Sequence, residues 1–206
     1  MTPNQPPAST GTSTGSSTGS RTGSNTAEAA APGPARPREL PTPAAAAPPD
    51  VVLGLVARLK QRGETLATAE SLTGGLVGAA LTDVPGVSAV YRGGVVVYAT
   101  DLKATLAGVP EDLLAAVGPV HPDTAAALAT GVRERLGATY GLATTGVAGP
   151  EPQAGVAAGT VYVAAAGPGA VRVRKLSLKG DRATVRQGSV QAALELAAEL
   201  VAEELA

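Results

Sequence analysis

The chain has no cysteine, no phenylalanine and no tryptophan, and it has a single histidine. Without cysteine there is neither a disulfide framework nor thiolate chemistry. Without several His or Cys side chains the common zinc sites are closed to it, so no metal is expected. A Ser-His-Asp triad would have only His121 to draw on. That residue lies in "GPVHPDT", ahead of a helix that starts with proline. One imidazole without a partner motif is weak evidence of catalysis, and His121 is read as structural or solvent-facing. Four tyrosines supply a poor stacking platform for single-stranded nucleic acid. The formal net charge is -1, so there is no basic excess to drive binding to a phosphate backbone, and no nucleic-acid partner is expected. No apolar run is long and uninterrupted enough for a membrane helix. The N-terminus lacks the basic stretch and apolar core of a secretory signal. A soluble, cytoplasmic protein with no membrane partner is expected.

What is present divides the chain in two. Residues 1 to 48 hold "STGTSTGSSTGSRTGSNT" and then "PGPARPRELPTPAAAAPP". Neither stretch can bury enough apolar surface to offset the entropy of ordering it, so a disordered tail is expected there. Residues 49 to 206 read as one globular domain. "DVVLGLVARLKQRG" has Asp50 as an N-cap, an apolar stripe and a stop at Gly63. "TLATA" reads as a strand, "GLVGAALTDV" as a helix, and "AVYRGGVVVYA" as a strand bulged at Gly93-Gly94. Two short helices and a longer one follow, then the strand "TYGLATTG" and a glycine-rich loop. "GTVYVAAAG" and "AVRVRKLSL" form a hairpin with "PG" in its turn. A final helix runs from about Asp181 to Glu204, with Val190, Leu194, Ala197, Val201 and Leu205 on one stripe. Strands alternating with helices, then a hairpin, predict an α/β fold with a mixed sheet covered by helices on both faces.

Four segments carry residues capable of chemistry. In "TAESLTGG" a strand ends near Glu70 and a helix starts near Thr73 or Gly74, with Ser71 at the junction. The first amides of a helix have no internal partner and carry partial positive charge. Gly74 and Gly75 would let a phosphate or a developing oxyanion approach them. The plain alternative is that Ser71 or Thr73 only caps the helix. The second segment, "PGVSAVYRGGVVVYATDLK", holds Ser88, Tyr98 and Lys103. "GVSAV" fails the G-x-S-x-G elbow at Val90. Ser, Tyr and Lys can still make a hydrolase without histidine, because a desolvated lysine is able to accept a serine proton. The third, "TTGVAGPEPQAGVAAGT", is a glycine-rich loop after a strand with no Walker lysine and no G-x-G-x-x-G. In the fourth, "KGDRATVRQ", Asp181 caps the last helix and Arg182 opposes its dipole, which hints at a ligand.

Together, in order and spacing, these segments resemble the CinA C-terminal domain family, the nicotinamide mononucleotide deamidases. The resemblance covers about residues 51 to 206 and implies a three-layer α/β/α fold. Larger members carry an N-terminal molybdopterin-binding-like domain, for which this chain has no room, so it is similar to the stand-alone form. The resemblance implies hydrolysis of the carboxamide of nicotinamide mononucleotide, to nicotinate mononucleotide and ammonia, in pyridine nucleotide recycling, with no cofactor. By match of position, the functional serines fall on Ser71 and Ser88, the tyrosine on Tyr98 and the lysine on Lys103. The loop threonine falls on Thr145, the arginine on Arg182 and the acid beside the first serine on Glu70, which is expected among the substrate-binding residues with Thr73, Gly74 and Gly75. Leu72 stands where relatives often have Cys, and Thr100 where Asn is common, which touches substrate preference more than the catalytic groups.

On that resemblance Ser71 attacks the amide and neutral Lys103 takes its proton. Ser71 is preferred to Ser88 as nucleophile because it occupies a strand-to-helix junction. Amides around Thr73 to Gly75 would hold the oxyanion, Tyr98 and Ser88 would orient Lys103 or relay protons, and Thr145, Gly146 and Arg182 would hold ribose and phosphate. A homo-oligomer, such as a dimer, is expected. The rival reading is a non-catalytic nucleotide-sensing or protein-interaction module linked to competence or DNA damage. Retention of Ser71, Tyr98 and Lys103 together argues against it.

Overall fold

The computed structural model describes residues 49 to 204; the tail expected over residues 1 to 48, and Leu205 of the last helical stripe, lie outside the described residues. Helix α1 spans Asp50–Arg62 and buries Val52, Leu55, Val56 and Leu59, a spacing of three and four that places them on one face. Its N-cap is Pro49 rather than Asp50. Asp50 is instead the first helical residue, where its carboxylate faces the positive end of the dipole. The helix ends as expected at Gly63, whose φ of 64° few other residues adopt cheaply.

Five strands follow: β1 Leu66–Glu70, β2 Tyr91–Val96, β3 Tyr140–Gly146, β4 Thr160–Ala166 and β5 Val171–Ser177. They form one sheet in the order β2-β1-β3-β4-β5. β1 pairs in parallel with β2 and β3, and β3-β4-β5 are antiparallel. β1 and nearly all of β3 are buried, as strands covered on both faces must be. The expected hairpin joins β4 to β5, closed by Gly167 donating to Ala170 at 2.8 Å. The bulge in β2 lies one residue earlier than expected. Leu66 faces Tyr91 and Ala67 faces Gly93, so Arg92 is the extra residue. Gly94 is left in register because a Cβ there would overlap Thr68 Oγ1, which bonds the Tyr91 hydroxyl at 2.7 Å.

The remaining helices are α2 Leu76–Thr82, α3 Thr100–Thr105, α4 Glu111–Val117, α5 Pro122–Arg135 and α6 Arg182–Glu203. One apolar cluster joins α1, α2 and α6 to one face of the sheet. A second joins α5 and the segments around α3 and α4 to the other face. This is the three-layer α/β/α arrangement that the resemblance implies. His121 is the N-cap of α5, its ring nitrogen accepting from the Asp123 amide at 3.3 Å.

The α5 face is packed through glycine. A Cβ on Gly141 would overlap the Ala129 carbonyl oxygen and lie 2.8 Å from the Arg133 Cβ. Gly54, on α1, has nothing within 4 Å of the same position. Gly141→Ala is therefore expected to destabilise the domain by at least about 2 kcal/mol. Gly54→Ala should stabilise it by roughly 0.5–1 kcal/mol through helix propensity alone. Urea denaturation midpoints of the two variants measure both, and a neutral Gly141→Ala would refute the packing assignment.

Candidate active site

The carboxyl ends of β1, β2 and β3 converge on a cavity of about 90 Å³ whose lining includes Ser71, Tyr98, Lys103, Thr145, Gly146 and Arg182. Ligands of open α/β sheets sit outside this edge, because the strand ends and the following loops leave a crevice there. Ser71 follows β1, Tyr98 and Lys103 follow β2, and Thr145 and Gly146 end β3. Arg182 is the first residue of α6 and reaches the same cavity from the sheet's antiparallel side.

Lys103 is 1% exposed, and no carboxylate among the described residues bonds it. Its Nζ lies 3.2 Å from Ser71 Oγ, 2.7 Å from the Val97 carbonyl and 3.3 Å from the Tyr98 carbonyl. Burial pushes its ammonium down to about 8, with the charge of nearby Asp101 working in the opposite direction. The ammonium donates in all three contacts; loss of one proton leaves two N–H donors for the two carbonyls and turns a lone pair towards the serine hydroxyl. The arrangement places a proton acceptor against a potential nucleophile.

The loop from Ser71 to Gly75 departs from the expectation that its glycines receive a ligand. The anion at the α2 N-terminus is the chain's own Glu70. Its carboxylate accepts from the amides of Gly75 at 2.9 Å, Val77 at 3.0 Å and Gly78 at 2.8 Å, and it is 2% exposed. Glu70 is thus a buried helix cap, unavailable to substrate. The Gly74 amide is also occupied, donating to the Ser71 carbonyl at 3.1 Å. Gly74 and Gly75 are glycines because φ is 60° and 98° there, rather than to admit another molecule. The Thr73 hydroxyl bonds Thr144 Oγ1 at 2.7 Å and is buried. Only the Leu72 and Thr73 amides of this loop have no partner among the described residues. The free donors therefore lie one and two residues after Ser71, ahead of both glycines.

Ser88 stands apart from this group. It is exposed, in the short 3-10 turn Val87–Ala89 that precedes β2. Since β1 and β2 run in parallel and Ser71 follows β1, the length of a five-residue strand, roughly 16 Å, separates the two serines. Ser88 is thus in no position to orient Lys103 within the chain. Tyr98 meets Lys103 only through its carbonyl. Its phenol is 59% exposed and accepts from Arg182 at 2.8 Å. Arg182 also donates to the Gly149 carbonyl at 3.1 Å, so its guanidinium bridges the glycine-rich loop and the loop after β2. Thr145 donates to the Pro119 carbonyl at 2.6 Å, fixing the β3 end against the loop before α5. At Gly146 a Cβ would lie 2.6 Å from the Thr160 carbonyl oxygen, so only glycine lets β3 pass there.

Two participants escape the sequence reading. Thr144 holds the Ser71 amide through its carbonyl at 3.0 Å and Thr73 through its hydroxyl. Arg186 donates to the Leu72 and Thr73 carbonyls at 3.0 and 2.8 Å. In sequence Arg186 is one more cation on an amphipathic helix, and no local signal links it to a loop more than a hundred residues earlier.

Comparison with known proteins agrees with this fold. The family model of the CinA C-terminal domain matches residues 50–201. A CinA-like protein of Frankia casuarinae is 57% identical over 152 residues, 74% of this chain and 34% of that protein. A putative competence-damage inducible protein of Desulforamulus reducens is 48% identical over 135 residues, 66% of this chain and 33% of that protein. The chain spans about a third of the length of these curated relatives. A CinA superfamily protein of Klebsiella pneumoniae 700603 aligns in structure with a TM-score of 0.72 at 31% identity, covering 75% of this chain and 97% of that one. One from Escherichia coli gives 0.70 at 33% identity, covering 74% and 88%. The family match runs from the first residue of α1 almost to the end of α6, and the chain belongs to the CinA C-terminal domain family.

Proposed function

We propose that the protein hydrolyses the carboxamide of nicotinamide mononucleotide, with Ser71 as nucleophile and Lys103 as base. The observation that carries this reading is a buried lysine without a carboxylate partner, 3.2 Å from a serine hydroxyl at a strand end. Ser71 Oγ attacks the amide carbon as its proton passes to Lys103 Nζ. The carbonyl oxygen becomes an oxyanion, and the Leu72 and Thr73 amides supply hydrogen bonds to it. Lys103, now an ammonium, gives the proton to the departing nitrogen, which leaves as ammonia. The acyl-enzyme is then attacked by water, whose proton goes to Lys103 and on to Ser71, releasing nicotinate mononucleotide. With Lys103 neutral, Arg182 is the cation of the cavity lining, which also holds Glu151, and it suits a phosphorylated substrate. Arg182 is the group free to reach its phosphate, and Thr145 and Gly146 shape the wall beside the ribose.

The reading is tested first by ammonia release from nicotinamide mononucleotide. Tight binding of that nucleotide without ammonia release would favour the sensing module instead. Ser71→Ala and Lys103→Met should each lower kcat by several orders of magnitude, and the double variant should be scarcely worse, because the two act as one unit. Ser88→Ala should behave as the parent. Lys103→Met should also stabilise the fold. The folded-state pKa of about 8 lies below the ordinary 10.5, so the unfolded chain binds the extra proton. That penalty is complete below pH 8 and fades as pH rises towards 10.5. At pH 7 the methionine variant should recover part of this penalty, offset by the Val97 and Tyr98 carbonyls that lose their donor, and its advantage should shrink as pH rises, read from denaturation midpoints.

The same shift sets the pH profile. Because the neutral amine is the base, kcat/KM should fall about tenfold per unit below an apparent pKa near 8. A rate that is flat from pH 6 to 9 would rule out Lys103 as the group that titrates.

Arg182→Ala removes the cation and the Tyr98 contact together, and should raise KM for nicotinamide mononucleotide by roughly tenfold or more. Free nicotinamide should be a poor substrate of the parent. An unchanged KM in the variant would show that the phosphate sits elsewhere.

A further inference from the structure

Arg186 lies one turn beyond Arg182 on α6 and is half-buried. It does not line the cavity, yet its Nε donates to the Leu72 carbonyl and its terminal nitrogen to the Thr73 carbonyl. These belong to the turn that begins with Ser71. The Ser71 carbonyl accepts from the Gly74 amide at 3.1 Å, so Ser71 to Gly74 is a hydrogen-bonded β-turn with Leu72–Thr73 as its central peptide. The two commonest forms of such a turn differ by a flip of that peptide. A trans peptide is planar, and its carbonyl and N–H point in opposite directions. The direction of the Leu72 carbonyl therefore dictates the direction of the Thr73 amide.

That amide is the exceptional one. Thr73 is fully buried, next in the chain to Ser71 and Leu72 of the cavity lining but not itself part of it, and its N–H has no partner among the described residues. A buried backbone donor is rarely left so unless another group completes it. A flipped central peptide would replace this donor with a carbonyl oxygen, which repels a developing negative charge. On the serine amidohydrolase reading above, we infer that Arg186 is a positioning residue. Its guanidinium holds the Leu72–Thr73 peptide in the orientation that presents the Thr73 amide to the oxyanion formed at Ser71.

The chemistry of the clasp supports this. Two neighbouring carbonyls need two donors in a fixed fork, which a guanidinium supplies and a lysine ammonium supplies poorly. Arg186 packs closely on the turn: a Cβ on Gly74 would sit in ordinary contact with its terminal nitrogen, at 3.6 Å, and it is the φ of 60° that requires glycine. Asp181 fixes the start of α6 by accepting from the Thr184 amide at 2.8 Å, so the arginine is presented from a capped helix. Glu70 holds the far side of the same loop through the Gly75 amide. A cation thus grips the carbonyls of the turn, and an anion grips the amides that follow it.

The test compares Arg186→Met, which keeps the stem and removes every donor, with Arg186→Lys, which returns one. With nicotinamide mononucleotide, Arg186→Met should lower kcat on the order of 10²-fold, as loss of an oxyanion donor does. KM should stay within about twofold of the parent. Arg186→Lys should recover part of the rate, and the acid limb of the pH profile should keep its position in both, since Lys103 is untouched. Amide hydrogen exchange of the peptide containing Ser71 to Leu76 should quicken. A purely structural clasp would instead lower the melting temperature and leave kcat per folded enzyme unchanged, and that result overturns the inference. Should Arg186→Met fail to fold, Arg186→Lys decides alone: a lowered kcat with retained KM supports the inference, and a parental kcat overturns it. The burst of Ser71 acylation by p-nitrophenyl acetate repeats the comparison without the nucleotide. A parent that gives a burst yet releases no ammonia from nicotinamide mononucleotide refutes the substrate, and Arg186 is then judged on burst rates. A parent that hydrolyses the nucleotide while both variants match it refutes the role of Arg186 alone. A parent that does neither overturns both.

Discussion

The Glu70 carboxylate, turned back onto the start of α2, is the contact on which the site depends. It accepts three amide hydrogens at a helix end that would otherwise present them to solvent or ligand. Charge-assisted bonds of this kind are individually stronger than neutral ones, and each contributes roughly 1.5–3 kcal/mol. Because Glu70 is the last residue of β1, the same side chain joins the central strand to the helix that leaves it. Ser71 is the next residue, so its backbone is set by a rigid neighbour on one side and by the Thr144 carbonyl on the other. The turn then has little freedom beyond the flip of its central peptide. That flip is the degree of freedom Arg186 removes.

The second constraint is a buried cation without a counter-charge. Fold stability alone would favour a carboxylate beside Lys103, or a methionine in its place. The chain instead surrounds the amine with two backbone carbonyls and one hydroxyl. A carboxylate would hold the ammonium charged and useless as a base. Carbonyl oxygens accept from the neutral amine as well as from the ammonium, so they orient the lone pair without forcing protonation. The cost in stability and the ease with which the amine gives up its proton have the same origin, the desolvation that lowers the pKa to about 8.

Arg182 and Arg186, four residues apart on α6, divide two tasks. Arg182 faces the cavity, bridging the Gly149 carbonyl and the Tyr98 hydroxyl, both of them neutral partners that leave its charge available to an anion. Arg186, a turn later, faces the backbone of the Ser71 loop. Placement on one helix face makes the substrate-facing cation and the loop-facing cation move together. The capping of α6 by Asp181 therefore matters to both.

The sequence by itself determined the layers and the cast of the site. Period-four apolar residues in α1, the alternation of strands with helices and the Pro-Gly hairpin specify the α/β/α arrangement through local burial and turn chemistry, which sequence encodes directly. The motifs also picked out Ser71, Tyr98, Lys103, Thr145 and Arg182, but their meeting at one sheet edge follows from strand directions that the structure supplies. What only the tertiary structure decided was who touches whom. Ser88 and Ser71 are equivalent as letters, yet strand direction puts them at opposite ends of β1 and β2. Glu70 reads as a substrate contact until the α2 amides close on it, and Tyr98 reads as a partner of Lys103 until its phenol is found on Arg182. The bond between Arg186 and the turn at Ser71 spans more than a hundred residues. Hydrogen bonds of that separation depend on distances and angles set by packing two layers together, and no periodicity or spacing along the chain encodes them.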